Sequence, residues 1–493
     1  MATSKFLIFD VGASNGRATV ACFDGNKFTM DVIYRFDNIP VYATGTLYWD
    51  FLKLFSELKT GLSISSRKFK NIRSLAIDTW GADFGFIDKK GKLISNPIHY
   101  RDKKRNSIND KVYKIISKEK LFKLTGSPLL SYGSIFNLYS LKIQDSVEYL
   151  NSFKFLMIPD LFNYFLTGNT FNEYTNALGT SLCSPFNKKW EYKIINKLSF
   201  KRDIFCEILQ PGSKVGVLQK DILDELEVKS TTVIAPASHD TASAIAGIPL
   251  LDLSKNKACI SIGTWGVVIK IIKEPNVTKE IFESGYANEA GGEDEILLFK
   301  NFIGLWLIQQ CHNNWIKGNG KDISWDEIMN SALNTHSVGS FIDVDADVFM
   351  LSQPDMPKTI MEFCRDKGQK IPETIGEVAR IIYESIVLKI KQNLKILEKI
   401  TGKKLDFIQM VGGGTKDVLL CQWVADSTGL PLFAGPTETT SIGNLLMQLK
   451  AVGEIKNLEE GRHISYNSSK IKKYTSVNTN LWDDLYLKFL KVL

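Results

Sequence analysis

The sequence predicts an α/β protein built from two lobes of related plan. Near the start, an apolar run typical of a buried strand (6–9) leads into a turn rich in glycine and polar side chains, and a second strand follows at 18–23. The same arrangement returns at 258–272. Each hairpin has an apolar stretch further along the chain that is suited to pair with it, at 74–88 and at 407–414. Because strands alternate with helical patterns, we expect helices packed on a sheet in each lobe.

The boundary between the lobes is predicted at 247–257, where a proline and polar residues interrupt the pattern. This places the first lobe at 1–246 and the second at 247–493. A chain of 493 residues is long enough for two or three domains with sizeable cores.

Helix signals are clearest at 375–400, where apolar residues recur at helical spacing behind a capping box formed by Thr374 and Glu377. Further helices are predicted at 415–428, directly after three glycines, and at 441–452. A helix as long as the one predicted at 375–400 is expected to be a core scaffold rather than a partner-binding segment.

Composition excludes several classes of protein. Apolar residues make up 44% and charged residues 23% of the chain, which excludes a disordered or low-complexity protein. The seven cysteines are odd in number and widely spaced, as is typical of free thiols in the cytosol, and neither C-x-x-C nor H-E-x-x-H occurs. No apolar run is long enough for a signal peptide or a membrane span. We therefore expect a cytoplasmic protein without membrane or nucleic-acid partners, the net charge of +7 being small for this length.

The glycine-rich hairpin turns suit phosphate binding. Backbone N–H groups and hydroxyls of the first turn, at 12–16, offer donors to an anion, and the missing side chains allow close approach. Asp10, at the strand end before the turn, is placed to hold Mg²⁺ through water, and Arg17 to neutralise phosphate charge. The second turn adds hydroxyls through Ser261 and Thr264. The alternative is a glycine-rich hairpin without a ligand, which two copies make a weaker interpretation than one.

Three consecutive glycines at 412–414 join an apolar strand to a predicted helix. Such a junction lets the backbone approach a flat ligand, and the helix start adds positive potential, so an adenosine site is one interpretation. A tight strand-to-helix turn is the other. The chain contains neither the P-loop motif nor G-x-G-x-x-G, so neither of those nucleotide sites applies.

A candidate general base follows the apolar strand at 232–235. The segment Ser-His-Asp-Thr at 238–241 should begin a helix at Asp240 or Thr241. Asp240 could cap that helix, or it could take a proton from an attacking hydroxyl, as phosphoryl transfer commonly requires. We assign His239 a contact role at most.

Two loops combine an aromatic face with charged groups, Trp-Gly-Ala-Asp at 80–83 and Tyr-Arg-Asp at 100–102. Rings cover the C–H faces of a sugar while carboxylates such as Asp83 pair with its hydroxyls, so these loops suit a polyhydroxylated substrate. Surface loops around a packed tryptophan are the alternative.

Taken together, these motifs resemble those of the FGGY carbohydrate kinases. The segments that carry the resemblance occur in order and are 10–17, 77–84, 100–102, 238–242, 261–265, 298–309 and 411–414. The phosphate loops and the triple glycine are shared by the wider actin-like ATPase superfamily and indicate only ATP binding. The resemblance implies two actin-like (ribonuclease H-like) ATPase lobes around a central cleft, ATP and Mg²⁺ as cofactors and a small ketose as substrate.

The resemblance also implies roles for individual residues, with Asp240 as the catalytic base. The residues implied to contact ATP are Ala13, Ser14, Asn15, Gly16, Arg17, Thr264, Gln309 and Gly413. Those implied to contact the sugar are Gly81, His239, Asp240, Thr241 and Asn301. The first lobe would bind the sugar and carry the first phosphate loop, and the second lobe would bind ATP. The stretches 239–241 and 301–309 favour L-rhamnulose, phosphorylated at O1, with L-fuculose, L-xylulose and D-ribulose as open alternatives.

Two positions depart from the family pattern. Lys416 and Asp417 follow the triple glycine and its threonine, where the family usually carries an asparagine, and Gly266 stands where a small hydroxyl residue is common. A rival from another class is an actin-like ATPase with no sugar acceptor. It would leave the loops at 80–83 and 100–102 without a role.

Overall fold

The computed structural model describes residues 3–102, 108–129, 131–252, 254–319, 322–350 and 353–493. Contacts divide the chain into two compact units. Unit 1 comprises Met1–Leu251, Ile271–Leu298 and Thr439–Ser469, and unit 2 comprises Asp252–Lys270, Phe299–Glu438 and Lys470–Leu493. The chain thus returns to unit 1 twice after residue 251, whereas the sequence predicts one division at 246/247. The functional division between 1–246 and 247–493 stays a prediction.

Strands occur throughout the described ranges. They are β1 (Ser4–Val11), β2 (Asn15–Phe23), β3 (Phe28–Asp37), β4 (Val41–Ala43), β5 (Thr46–Tyr48), β6 (Ile72–Thr79), β7 (Phe84–Ile87), β8 (Lys154–Met157), β9 (Asn172–Glu173), β10 (Cys183–Ser184), β11 (Lys189–Trp190), β12 (Ile208–Leu209), β13 (Ser213–Val217), β14 (Thr232–Ala235), β15 (Lys257–Ile262), β16 (Trp265–Ile272), β17 (Ala287–Ala290), β18 (Ile296–Ile303), β19 (Phe407–Val411), β20 (Leu432–Ala434) and β21 (Lys472–Tyr474).

Helices fill most of the intervals. They are α1 (Phe51–Lys68), α2 (Ile108–Ile115), α3 (Lys118–Thr125), α4 (Ser134–Ile143), α5 (Val147–Asn151), α6 (Ile158–Thr167), α7 (Tyr174–Gly179), α8 (Tyr192–Lys197), α9 (Lys220–Leu226), α10 (Asp240–Ala246), α11 (Lys279–Ser284), α12 (Trp306–Asn319), α13 (Trp325–Asn334), α14 (Asp347–Met350), α15 (Met356–Asp366), α16 (Ile375–Thr401), α17 (Val418–Thr428), α18 (Thr439–Ala451), α19 (Leu458–Ser468) and α20 (Thr479–Phe489). Of the helices that the structure describes, none combines the length and the apolar character needed to cross a membrane.

The main sheet of unit 1 has the strand order β13-β14-β6-β1-β2-β3. β1 and β2 form the predicted antiparallel hairpin, and β6, from the apolar stretch at 74–88, pairs with β1 in parallel. β14 lies parallel to β6. The carboxyl ends of three neighbouring strands therefore meet at one end of the sheet, the usual place for a site in an α/β fold.

Both faces of this sheet are buried, and β1 shows why its sequence is almost continuously apolar. Leu7 and Phe9 belong to a core that includes residues of α1 and α6. Phe6 and Ile8 point to the opposite face and belong to a core built with α10, α18 and α19. Side chains alternate along a strand, so a strand covered on both sides needs apolar residues at successive positions.

Unit 2 repeats the plan. β15 and β16 form the second predicted hairpin, and β19, from the stretch at 407–414, pairs with β15 in parallel. The strand order in this unit is β18-β16-β15-β19-β20-β21. The long helix α16 has the predicted capping box at Thr374 and Glu377 and ends at Gly402, whose φ of 64° suits glycine.

Two helix starts differ from the prediction, and a third decides between two predicted starts. The helix predicted from 415 begins at Val418, because Gly413–Lys416 forms a 3₁₀ turn and the Asp417 carboxylate accepts from Leu420 N–H at 2.9 Å as an N-cap. The helix predicted from 441 begins at Thr439. α10 begins at Asp240, one of the two predicted starts, with His239 in the N-cap position, so the alternative that made Asp240 the cap is wrong.

Candidate active site

Three carboxylates lie at neighbouring strand ends in unit 1. Asp10 of β1 and Asp78 of β6 are direct partners in the parallel register. The loop after β14 joins the same row, because Thr79 N–H donates to the Ser238 carbonyl at 2.9 Å. Asp240 follows two residues later and interacts electrostatically with both other carboxylates. Strand pairing therefore gathers an acidic group that sequence motifs present separately.

Asp78 is the most enclosed of the three. It is fully buried, and its Oδ2 accepts from Asn444 Nδ2 at 2.6 Å. Its Oδ1 has no hydrogen-bond partner among the described residues. Burial, with the negative charge of Asp10 in second place, raises the pKa of Asp78 well above its usual range. The sequence motif contains Asp78, but nothing in it singled this residue out.

The first glycine-rich turn places an ion pair beside this row. Asp10 Oδ2 accepts from Arg17 Nη2 at 2.6 Å and Nε at 3.1 Å, and from Ser441 Oγ at 3.3 Å. The side chains of Asp10 and Arg17 are 11% and 19% exposed. Within the turn, Gly12 N–H donates to the Asn15 carbonyl at 2.9 Å. The residues predicted for metal and phosphate contact therefore hold each other in place.

Asp240 presents its carboxylate at the start of α10. Its Oδ1 accepts from Thr241 N at 2.6 Å and Thr241 Oγ1 at 3.2 Å, and lies 3.5 Å from His239 Nε2. The side chain is 37% exposed, the largest exposure in the acidic row. Removal from water raises the pKa of Asp240, His239 lowers it, and Asp10 raises it. An accessible carboxylate with a raised pKa has the character of a general base.

A buried carboxylate anchors the segment that carries Asp240. Glu173 is fully buried, and its Oε2 accepts from Ser238 N at 3.1 Å, Ser238 Oγ at 2.5 Å and Thr175 Oγ1 at 2.5 Å. Thr175 Oγ1 in turn accepts from His239 N at 3.0 Å. The start of α7 is thereby tied to the loop before α10. No sequence motif pointed to Glu173, since its partner Ser238 lies 65 positions away.

His239 lies between two carboxylates. Its Nε2 faces Asp240, and its Nδ1 lies 3.5 Å from Glu289 Oε2 on β17. Gly81 packs against the ring, and a Cβ there would lie 3.0 Å from Nε2. Burial raises the pKa of Glu289 and His239 opposes that rise. Three residues predicted to contact sugar, Gly81, His239 and Asp240, are thus brought together, with Glu289 as an unpredicted neighbour.

Asp83 supports an aromatic cluster next to this group. Its Oδ2 accepts from Trp49 Nε1 at 2.6 Å, Trp80 Nε1 at 3.1 Å and Tyr100 N at 3.2 Å. The residue is 1% exposed. The two indole rings lie 4.1 Å apart, and Arg101 lies over the Tyr100 ring at 5.4 Å. Asp83 therefore holds the two loops together, and direct contact between Asp83 and a sugar stays a prediction.

The second glycine-rich turn lies in unit 2 and packs on the start of α12. Thr264 Oγ1 donates to Gln309 Oε1 at 3.1 Å, so two residues predicted to contact ATP are adjacent. The Gly263 carbonyl accepts from Leu305 N at 2.8 Å, and the Thr264 carbonyl accepts from Trp306 N at 3.2 Å. The turn is therefore fixed to the first turn of the helix.

A pocket of about 460 Å³ opens beside this turn. It is lined by Gly263, Leu305, Ile308, Gln309, Trp325, Asp326, Met329, Tyr383, Gly413, Lys416 and Asp417. Asp417 is engaged, since its Oδ2 accepts from Tyr383 Oη at 2.6 Å. The apolar and aromatic part of the lining was not predicted, because Trp325 and Tyr383 lie on helices outside the motifs. The pocket has the size and mixed lining of a small-molecule site.

The predicted site residues fall into two groups. Unit 1 contains Asp10, Ala13 to Arg17, Gly81, Asp83, His239, Asp240 and Thr241, and unit 2 contains Thr264, Asn301, Gln309 and Gly413. Asn301 lies on β18 and is assigned to unit 2, whereas the other residues predicted to contact the sugar are assigned to unit 1. The contacts of all these residues with ligands stay predictions.

Solved structures that superpose on this chain include a xylulose kinase and a glycerol kinase. A xylulose kinase from Lactobacillus acidophilus superposes with a TM-score of 0.81 at 16% identity, covering 99% of this chain and 97% of that one. A Plasmodium falciparum glycerol kinase with ADP gives a TM-score of 0.76 at 15% identity, again covering 99% and 97%. The predicted α/β fold with two actin-like units is confirmed.

Sequence comparisons cover the same length. The N-terminal domain of the FGGY family of carbohydrate kinases matches residues 5–247, and its C-terminal domain matches 258–452. A rhamnulokinase from Bacteroides thetaiotaomicron is 32% identical over 485 residues, 98% of each chain. One from Halalkalibacterium halodurans is 35% identical over 473 residues, 96% of this chain and 99% of the relative. The chain therefore belongs to the FGGY family of carbohydrate kinases, enzymes that transfer a phosphoryl group from ATP to a sugar.

Proposed function

We propose that this kinase phosphorylates O1 of L-rhamnulose to give L-rhamnulose 1-phosphate in rhamnose catabolism. The observation that carries the choice of sugar is the full-length similarity to relatives named rhamnulokinase, at 32% and 35% identity. The residues of unit 1 that are predicted to contact the sugar support it, because Gly81 and Asp240 both lie against the imidazole ring of His239.

Asp240 is the catalytic base in this proposal. Its carboxylate takes the proton from the O1 hydroxyl, O1 forms a bond to the γ-phosphorus, and the bond from that phosphorus to the bridging oxygen of ADP breaks. The donors from Thr241 fix the carboxylate at the start of α10. Glu173 and Thr175 fix the backbone of the preceding residues, so the base is held in position before the sugar arrives.

Each unit carries a glycine-rich turn whose residues are proposed to contact ATP. Ala13 to Arg17 would approach the phosphates in unit 1, and Thr264, Gln309 and Gly413 would contact the nucleotide in unit 2. The pocket lined by Trp325 and Tyr383 suits the flat base of ATP, since aromatic and apolar walls favour a purine.

The residues at the strand ends fit a magnesium ion. Mg²⁺ prefers oxygen ligands and binds through one or two carboxylates, with phosphate oxygens and water completing its shell. Asp10 would hold the ion through water, and the Oδ1 of the neighbouring Asp78, which has no hydrogen-bond partner among the described residues, supports a further oxygen ligand here. When bound with ATP, Mg²⁺ neutralises charge on the phosphate oxygens.

The nearest alternative is the same reaction on another ketose, such as L-fuculose, L-xylulose or D-ribulose. The deciding experiment measures ADP formation by the purified enzyme with each ketose in turn, ATP and Mg²⁺ being saturating. We expect the highest kcat/KM for L-rhamnulose. A higher kcat/KM for another ketose would reject the assignment, and ATP hydrolysis indifferent to every sugar would favour the actin-like ATPase without an acceptor.

A further inference from the structure

Glu289 is a buried carboxylate beside the sugar residues that the proposed mechanism does not use. It lies on β17 in unit 1, and its side chain is 9% exposed. Its Oε2 has no hydrogen-bond partner among the residues described. A buried carboxylate oxygen that accepts no hydrogen bond lowers the stability of the fold. A neighbouring group that can donate a hydrogen bond to this oxygen is therefore the first partner to consider.

The imidazole ring of His239 is a neighbouring donor, since its Nδ1 lies 3.5 Å from Glu289 Oε2. A shift of a few tenths of an ångström would give an ordinary hydrogen bond. The His239 ring is also confined on the side of Nε2. This nitrogen lies 3.5 Å from Asp240 Oδ1, and Gly81 packs so closely against the ring that a Cβ there would lie 3.0 Å from Nε2. A histidine whose two nitrogens face two carboxylates has its orientation set by both.

We infer that Glu289 is a positioning residue that accepts the Nδ1–H of His239 and thereby orients Nε2 to accept from a sugar hydroxyl beside Asp240. The inference rests on the proposed function, because its consequence is measured in sugar phosphorylation. With the proton of Nδ1 committed to Glu289, the neutral His239 ring has an unprotonated Nε2, which accepts from a sugar hydroxyl and does not bond to the Asp240 carboxylate, itself an acceptor. Glu289 itself touches neither the sugar nor ATP in this arrangement.

A double-mutant cycle tests this indirect action. Glu289→Gln keeps the shape of the side chain but removes the carboxylate, and we expect it to lower kcat/KM for the ketose by about tenfold through the loss of coupling to His239. His239→Gln should lower it by at least as much. If Glu289 acts through His239, adding Glu289→Gln to His239→Gln should change kcat/KM by less than about twofold. Effects that multiply in the double variant would overturn the inference.

A matched control separates positioning from stability. Glu295 is also a partly buried carboxylate of unit 1, but it is paired with Arg462 by contacts of 2.5 Å and 2.9 Å. Glu295→Gln should lower the unfolding midpoint while leaving kcat/KM for the ketose unchanged. Should Glu289→Gln fail to fold, Glu289→Asp enters the same cycle, since it keeps the charge and withdraws it by one methylene.

The outcomes also distinguish this inference from the proposed function. A wild-type enzyme that phosphorylates no ketose would overturn both. An active wild type whose Glu289→Gln variant matches it in kcat/KM would overturn only the role of Glu289.

Discussion

The two glycine-rich hairpin turns share a backbone device and differ in charge. In the β1–β2 hairpin a Cβ at Gly16 would lie 2.2 Å from the ring of Phe36, and in the β15–β16 hairpin a Cβ at Gly266 would lie 2.1 Å from the ring of Phe302. Each glycine thus stands at the start of the second strand of its hairpin, against a phenylalanine. Gly266, which departs from the family pattern, has a packing reason in this chain.

The residues that flank the two turns differ in charge and so give the turns different chemical properties. The first turn is flanked by the Asp10–Arg17 ion pair, and the second by the neutral pair of Thr264 and Gln309. Within the two turns, the charged side chains therefore belong to the first turn, while the second offers neutral hydrogen-bonding groups; Lys416 and Asp417 lie outside the second turn, in the lining of the pocket beside it. The glycine pattern specifies the shape of a turn, and the flanking residues decide what the turn can do.

Replacing the base is the strongest test of this division. Asp240→Asn removes the proposed proton acceptor, and we expect sugar phosphorylation to fall a hundredfold or more, from general-base contributions of about 10² to 10⁴. ATP binding, measured by calorimetry, should persist, because the residues of unit 2 that are proposed to contact the nucleotide are untouched. Asp224→Asn, an exposed carboxylate of α9, serves as the control. Near-normal activity of Asp240→Asn would reject the mechanism.

Filling the two glycine positions should test the shared packing. Gly16→Ala and Gly266→Ala each push a methyl group into a phenylalanine ring, and we expect each to lower the free energy of unfolding by about 1–3 kcal/mol in denaturant titrations. Gly179→Ala is the matched control, because a methyl group at Gly179 would have nothing within 4 Å of it. Combining Gly266→Ala with Phe302→Leu should recover part of the loss. If the paired change recovers nothing, the packing explanation fails.

Local features of the fold were predicted well from the sequence. Both hairpins and their parallel partners, β6 and β19, follow from apolar runs next to glycine-rich turns, and the start of α16 follows from its capping box. The predicted start of α17 was wrong, because a 3₁₀ turn intervenes where the glycines were expected to lead straight into the helix.

The site was predicted only as far as its motifs reach. Asp240 and His239 stand in one motif, whereas the residues that hold them do not. Glu173 meets Ser238 across 65 positions, and Asn444 meets Asp78 across 366. No spacing rule connects such distant residues, since only the packed sheet brings them together. The buried carboxylates Glu173 and Glu289 look in sequence like ordinary acidic residues.

Substitutions can compare the contribution of the charged Arg17 at the first turn with that of the Thr264 hydroxyl at the second. Arg17→Gln removes the cation beside Asp10, so both the phosphate charge and the Asp10 carboxylate lose a partner, and we expect kcat/KM for ATP to fall by about tenfold or more. Thr264→Val removes one neutral hydroxyl, and its loss should be about two- to fivefold, the range of a single uncharged hydrogen bond. Steady-state kinetics with varied ATP at saturating ketose measures both. Because charge on the phosphates is screened by salt, the Arg17→Gln deficit should narrow as ionic strength rises while the Thr264→Val deficit stays constant. Equal deficits with equal salt dependence would mean that the two turns do not divide the chemistry.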